Sequence, residues 1–432
     1  MEKDLRIMLE KGLFYMNSSS SPRLFYGFYV VAACFFILFF LWGMVLNTFP
    51  IFLKPIAESM KWGRGELAIA LLVGSIVSAI ASPVAGILID RMGSKRVMAV
   101  GAGVVGVGLI LESRVTELWH FCVLFGFIGV GLMFSTIIPC SLLISNWFIS
   151  RRGVAMSAAF VGTSFGGMVM SPVSSWIIID YGWRTAFVFG GSIILLVVIP
   201  LILFVIRTHP AEMGLKPYWR QQEEGEVIGE VGGVSVKEAF SLKVFWQIAA
   251  IMLLTGIAYG GVGNHCVAYL TDLDHSPTKA SFAWSLVMGA MVLGKVVFGP
   301  LADRWGAKVV MAISCVLFSI SVCFLIFAKP FWVVVIFASI YGFACGAPLV
   351  INPLLTGNYL GVKNFATLFG ILNIMGTIGG AIGPVGAGYV FDTYHTYLPI
   401  FYFLIPLMLL CALLAIVMKP PTGAISANGS QS

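Results

Sequence analysis

Charge is what this sequence lacks. Asp, Glu, Lys and Arg make up 10% of its 432 residues, against roughly 25% in an ordinary soluble domain, which excludes a water-exposed surface over most of the chain. Histidine is scarce, at five residues. The eight cysteines (Cys34, Cys122, Cys140, Cys266, Cys315, Cys323, Cys345 and Cys411) fall in apolar runs without metal-ligand spacing. They read as small packing residues, so no metal site and no disulfide framework is implied. Nucleotide motifs are missing too. Residues 289–296 carry the glycines and lysine of a phosphate loop, but Val296 stands where Ser or Thr is required. Gly101, Gly103 and Gly106 mimic a dinucleotide fingerprint inside an apolar run, where glycines suit close helix packing. With no nucleophile and base in a recognisable pattern, neither an enzyme nor a cofactor is expected. The segment 1–24 lacks the pattern of a cleavable signal.

What fills the sequence is apolar: 59% of residues are hydrophobic. Runs close to the ~20 residues that cross a hydrocarbon core recur along the whole chain. Twelve are expected, at 27–49, 66–88, 97–111, 118–145, 153–179, 185–206, 244–270, 281–301, 309–328, 331–356, 365–391 and 398–418. No water in the bilayer core satisfies a free backbone amide, so spanning segments are helices or closed barrels. Runs this long and continuous are helices, since barrel strands alternate in polarity over shorter segments.

The net charge of +7 invites a nucleic-acid reading, but its distribution encodes orientation instead. With both termini in the cytoplasm, 18 of the 26 basic residues face that side, seven face outside and Lys295 alone lies within a span. The positive-inside rule selects this topology. A multi-pass protein of the cell membrane follows, with the bilayer as its surroundings and no nucleic-acid partner.

Laying the second half on the first exposes a repeat. At an offset of 213, Gly86, Asp90, Arg91, Gly93 and Lys95 recur as Gly299, Asp303, Arg304, Gly306 and Lys308. At an offset of 212, Asn146 falls on Asn358, Arg151 on Lys363, Gly167 on Gly379, Pro172 on Pro384 and Asp180 on Asp392. The expected organisation is a cytoplasmic segment (1–24), a six-helix bundle (25–206), a Glu- and Gly-rich cytoplasmic linker (207–243), a second six-helix bundle (244–418) and a tail (419–432). The linker contains Glu223, Glu224, Glu226 and Glu230, and a short surface helix is expected over 234–240. Six spans per half place the copies in the same orientation, as in carriers whose halves rock about a site near the midplane.

The duplicated Gly-x-x-x-Asp-Arg-x-Gly-x-Lys pattern, between spans two and three and again between eight and nine, resembles the signature loop of the major facilitator superfamily. Within that family, Gly27-Phe28-Tyr29-Val30, Phe49-Pro50-Ile51-Phe52-Leu53-Lys54-Pro55, Trp147-Phe148-Ile149-Ser150-Arg151-Arg152-Gly153 and Tyr181-Gly182-Trp183-Arg184 look like the monocarboxylate transporters and their oxalate/formate antiporter relatives. The resemblance implies an all-α membrane protein of twelve transmembrane helices in two pseudo-symmetric six-helix bundles, the major facilitator fold.

Lys295 leads the candidate residues. A charge near the bilayer centre costs at least ~2.5 kcal/mol on insertion scales and marks a ligand path; the alternative is a lysine snorkelling to the surface. Monocarboxylate transporters carry a basic residue, usually Arg, in the eighth helix that pairs with the substrate carboxylate, and the resemblance places Lys295 in that role. Lysine lacks arginine's bidentate fork. Animal members place an Asp one turn earlier as a proton-coupling partner, where this chain has Met291. His265, beside Asn264 and after the glycines at 260, 261 and 263, is the substitute proton carrier, since histidine titrates near physiological pH. Its alternative is a packing histidine. Tyr341, Cys345, Pro348 and Asn352 form one helical stripe on the tenth span. Asn47, Thr48, Thr136 and Asn373 add hydrogen-bond donors, each equally suited to joining helices. Asp90, Arg91, Arg151, Arg152, Asp303 and Arg304 are expected to gate the cytoplasmic mouth through charge pairs and contacts with helix ends. Glycines over 162–167 and 376–383 are expected to let helices approach closely.

The expectation that follows is a monomeric secondary transporter moving a small monocarboxylate anion such as lactate or pyruvate by alternating access with proton symport. Oxalate exchangers use a second cation on the eleventh helix, and the Asn373 region carries none. The rivals are an organic anion exchanger and a non-transporting membrane sensor on the same fold.

Overall fold

The computed structural model describes residues 25–62, 64–218 and 233–419. The termini and Glu223, Glu224, Glu226 and Glu230 of the linker fall outside the described residues. Among the described residues, twelve helices are long and apolar enough to cross a membrane, at the places the apolar runs mark. They are α1 (Tyr26–Leu53), α2 (Arg64–Met92), α3 (Ser94–Glu112), α4 (Leu118–Trp147), α5 (Arg152–Tyr181), α6 (Trp183–Val205), α7 (Lys243–Asp272), α8 (Pro277–Trp305), α9 (Ala307–Ile326), α10 (Phe331–Leu360), α11 (Phe365–Tyr394) and α12 (Leu398–Val417). Between α6 and α7 a short helix, Val236–Ser241, starts with a reciprocal capping box in which Glu238 N donates to Ser235 Oγ and Ser235 N to the Glu238 carboxylate.

Two expectations are corrected. The Asp-Arg motifs are not loops: α2 runs through Asp90 and Arg91 to Met92, and α8 through Asp303 and Arg304 to Trp305. Only Gly93 and Gly306 turn the chain, with φ of 83° and 85°, a region glycine enters without steric cost. The pairs aligned at 212 are also one position out of register. The ends of α2, α4 and α5 coincide with those of α8, α10 and α11 at an offset of 213. One offset therefore relates these three pairs of helices, Gly166 corresponds to Gly379, and Ser82 holds the place of Lys295.

Within each half, glycines bring helices into backbone contact. A Cβ on Gly162 or Gly166 of α5 would collide with the backbone of Phe35 or Phe39 of α1, and one on Gly379 or Gly383 of α11 with Leu253 or Ile257 of α7. Without a hydrophobic driving force between helices in lipid, such close packing supplies the cohesion. Helices α1, α4, α7 and α10 are each interrupted, by a π-helical turn at Gly43–Asn47, at Thr136, at Asn264 and His265, and at Gly346. Broken helices free backbone groups that are tolerated at membrane depth where protein covers them.

Candidate functional site

The halves meet along two seams, α2 against α11 and α5 against α8. The hydrogen bonds that join these helices lie toward the side carrying Gly93, Gly306 and the linker. At the mouth, each seam is held by an aspartate of one half bonded to the start of a helix in the other. Asp303 Oδ1 accepts from Gly153 N at 2.7 Å and Oδ2 from Val154 N at 2.9 Å. Asp90 Oδ2 accepts from Thr367 N at 2.9 Å and from Thr367 Oγ1 at 2.6 Å. Neither α5 nor α11 has a side-chain cap from its own preceding residue, so their unpaired N–H groups and the positive ends of their dipoles are available to an anion. The motif glycines follow from the same geometry: a Cβ on Gly299 would strike the backbone of Gly153 and the Ser157 hydroxyl, and one on Gly86 the backbone of Ala366 and Thr367.

Deeper in the α5–α8 seam lies Lys295, eight residues or about 12 Å of helix from Asp303. Its side chain is 3% exposed and crosses to the other half. Nζ donates to Thr163 Oγ1 at 2.8 Å and to Ser164 Oγ at 2.6 Å, while the Lys295 carbonyl accepts from Ser157 Oγ. Thr163 links the pair to α1, because its carbonyl accepts from Asn47 Nδ2 at 2.7 Å. The backbone of Lys295 lies against Gly346, where α10 breaks and any Cβ would crowd it. In the other seam Ser82 Oγ donates to the Gly370 carbonyl at 2.8 Å and receives the Asn373 amide at 3.4 Å.

The remaining candidates separate. Asn47 joins the Lys295 cluster and Asn373 the opposite seam. Tyr341 is turned into the second half, its hydroxyl donating to the Tyr259 carbonyl at 2.9 Å. Asn352 holds a buried amide oxygen without a hydrogen-bond partner. Asn264 caps its own helix through Gly260 O at 3.0 Å. Thr48 and Thr136 bond to carbonyls one turn back, Met44 and Leu132.

His265 sits in the break of α7 with both ring nitrogens engaged, Nε2 with the Pro384 carbonyl at 2.9 Å and Nδ1 with the Tyr397 hydroxyl at 3.1 Å. A carbonyl only accepts, so Nε2 donates. The Tyr397 hydroxyl, which burial raises above its usual range with Asp272 and Asp392 adding, can serve Nδ1 as donor or as acceptor. Pro384 lies 17 residues beyond Thr367, about 25 Å along α11, so His265 occupies a level well beyond Lys295.

Among the arginines, Arg152 folds back to the end of α4, donating to Phe148 O at 3.1 Å and Ser145 O at 3.3 Å, and lies close enough to Asp303 to act on its charge. Arg91, Arg151 and Arg304 are exposed. Arg91 lines a cavity of about 530 Å³ at the mouth with Asp90, Lys95, Arg96 and Lys363. Sequence reading passed over Ser157, Thr163, Ser164 and Thr367, which are ordinary small polar residues until the register brings them opposite Lys295 and Asp90. It also passed over Glu112, fully buried at the end of α3 with neither carboxylate oxygen hydrogen-bonded.

An ammonium buried between two halves and held by neutral hydroxyls is suited to binding a carboxylate, which adds the attraction of a full opposite charge in a low-dielectric setting. The chain is 24% identical to rat monocarboxylate transporter 13 over 377 residues, covering 86% of this chain and 84% of the relative. Among solved structures, the human organic anion transporter MFSD10 superposes with a TM-score of 0.71 at 15% identity, covering 92% and 100% of the two chains. The E. coli fucose:proton symporter FucP superposes with a TM-score of 0.68 at 15% identity, covering 90% and 98%. The family profile described as Major Facilitator Superfamily matches residues 31–276 and 265–431. Its twelve membrane helices, its paired seams and that match establish one conclusion: this chain is a transporter belonging to the major facilitator superfamily.

Proposed function

We propose that the protein carries a small organic monoanion, of the lactate or pyruvate kind, across the cell membrane by alternating access, with the substrate carboxylate pairing with Lys295. One observation carries this reading: the Lys295 ammonium is buried in the α5–α8 seam with two neutral hydroxyls of the other half as its hydrogen-bond partners. A single cation at the crossing suits a single carboxylate. The likeness to monocarboxylate transporter 13 supports the substrate class.

With the linker side in the cytoplasm, as the basic residues favour, the bonded seams close the cytoplasmic mouth and the arrangement is outward-facing. Asp90 and Asp303 are the gate residues of that closure, and Arg91, Arg151, Arg152 and Arg304 supply the surrounding positive charge. Proton symport is the proposed energy source, with His265 as carrier.

A second reading, exchange of one anion for another, is favoured by the engagement of both His265 nitrogens within the second half and by Met291 at the family's acidic position. Purified protein in liposomes separates the two. Labelled lactate uptake driven by an inward proton gradient supports symport, whereas uptake indifferent to pH and dependent on internal lactate supports exchange. Absence of flux in both regimes leaves a sensor. Lys295→Ala with unchanged uptake and affinity would sink the anion-binding reading.

A further inference from the structure

We propose that the hydroxyls of Thr163 and Ser164 form a latch for the empty carrier, holding the Lys295 ammonium, and with it the α5–α8 seam, until a substrate carboxylate takes the ammonium from them. The inference rests on the anion-binding reading of Lys295 and adds two α5 residues to which that reading assigns no role.

The geometry supplies the latch. Thr163 and Ser164 are consecutive on α5, and one Nζ reaches both, at 2.8 and 2.6 Å, from the opposite half. Thr163 and Lys295 are 2% and 3% exposed, so water does not compete for the contact, and a hydrogen bond in such a setting is stronger than in solvent. The chemistry supplies the release. A carboxylate offers the ammonium an acceptor of full opposite charge in place of two neutral ones, an attraction that the low local dielectric strengthens. The vacated hydroxyls are not stranded: Thr163 Oγ1 already donates to Phe160 O at 2.8 Å, and Ser164 is half-buried. Substrate binding therefore removes the deepest bond across this seam and leaves the Asp303 contact at the mouth to open next.

Among the described residues, the second seam shows no such device. Ser82 occupies the corresponding place and bonds to a backbone carbonyl, Gly370 O, a neutral contact that an incoming anion has no cation to draw away. Release is confined to α5–α8, and α2–α11 serves as the seam that stays closed longer. Asn47, bonded to the Thr163 carbonyl, carries any shift of α5 at this level to α1.

Hydrogen exchange measured by mass spectrometry on the full-length purified protein tests the latch, read at the Gly153 and Val154 amides that Asp303 holds. Loss of bonds to a charged group is typically worth a factor of about ten or more in the closed-to-open ratio. The double variant Thr163→Val with Ser164→Ala is expected to exchange at least about tenfold faster than wild type without lactate. The swapped pair Thr163→Ser with Ser164→Thr, which keeps both hydroxyls, is expected to exchange like wild type. Saturating lactate should speed exchange in wild type and leave the double variant unchanged. Slow exchange in the double variant, or a lactate response in it equal to wild type, overturns the latch. Slow exchange there beside a Lys295→Ala variant without uptake removes the latch alone, whereas intact lactate uptake by Lys295→Ala removes the anion-binding reading beneath it.

Discussion

Asp303 caps a helix that belongs to the other half of the molecule, its two carboxylate oxygens 2.7 and 2.9 Å from the backbone nitrogens of Gly153 and Val154. The contact satisfies N–H groups that α5 leaves open and places a negative charge on the helix's positive end. Asp303→Asn points an amide N–H₂ at one of those donors and removes the charge. Hydrogen bonds to charged groups contribute about 1.5–3 kcal/mol each, so the closed seam should lose at least a factor of about ten in population. Faster hydrogen exchange over the first turn of α5 is the measurement. Asp90→Asn should act in the same direction but less, because the Thr367 hydroxyl, a donor to Asp90 at 2.6 Å, can turn to accept from the new amide.

The fold was legible because its determinants are local and repeated. Twelve apolar runs give twelve helices, and a motif recurring at a fixed offset gives two halves. The register was harder to read: chance identities such as Asn146 with Asn358 suggested an offset of 212, and only the helix ends fix it at 213. Lys295 was visible because a charge in an apolar run is conspicuous. Thr163 and Ser164 were not, since Ser and Thr are common in spanning helices and their meaning depends on which helix lies opposite. Tyr341 shows the converse. Its stripe with Cys345 marks one helical face, but periodicity does not say whether that face meets a cavity or a neighbour, and the Tyr341 hydroxyl is spent on Tyr259 O. Glu112 closes α3 at the end of an apolar run, where sequence alone does not distinguish a buried acid from one at the water boundary.

The motif glycines give a test of closure that involves no charge. Gly299→Ala puts a methyl group into the Gly153 backbone and the Ser157 hydroxyl, whereas Gly289→Ala, one helix face away, meets nothing within 4 Å. Overpacking at rigid backbone typically costs about 1–3 kcal/mol. Gly299→Ala should therefore disfavour the closed seam and reduce uptake about tenfold or more, and Gly289→Ala should transport like wild type. Equal behaviour of the two variants in liposome uptake would show that the seam does not close this tightly during transport.

The linker helix has a pH dependence of its own. Hydrogen bonds from the Ser235 backbone and side chain, with Lys363 nearby, hold the Glu238 carboxyl below its usual range. A carboxyl whose folded value is depressed stabilises the folded form above its unfolded pKa, and that contribution fades as pH falls through the folded value. The Val236–Ser241 turn should accordingly fray below about pH 4, the ordinary range of glutamate, while staying intact at neutral pH. Ser235→Ala should produce the same fraying at neutral pH. Amide exchange over 236–241 as a function of pH reads both, and a protection profile flat with pH would exclude the capping box as its cause.

His265 decides between symport and exchange. Its ring joins α7 to α11 through Pro384 O and to Tyr397 ahead of α12, and because Nε2 donates to the carbonyl, a proton carried on Nδ1 has to be accepted by the Tyr397 hydroxyl oxygen. That contact is where a proton would be registered. His265→Gln keeps a side chain able to donate to Pro384 O but cannot take up a proton near neutral pH. Under symport, this variant should lose the stimulation of lactate uptake by an inward proton gradient while retaining exchange of internal for external lactate, which needs no net proton movement. Its thermal stability should fall modestly, as neutral hydrogen bonds contribute about 0.5–1.5 kcal/mol each. Gradient stimulation that survives in His265→Gln, with the same modest loss of stability, would make the histidine a brace between α7 and α11 and move the proton to another group.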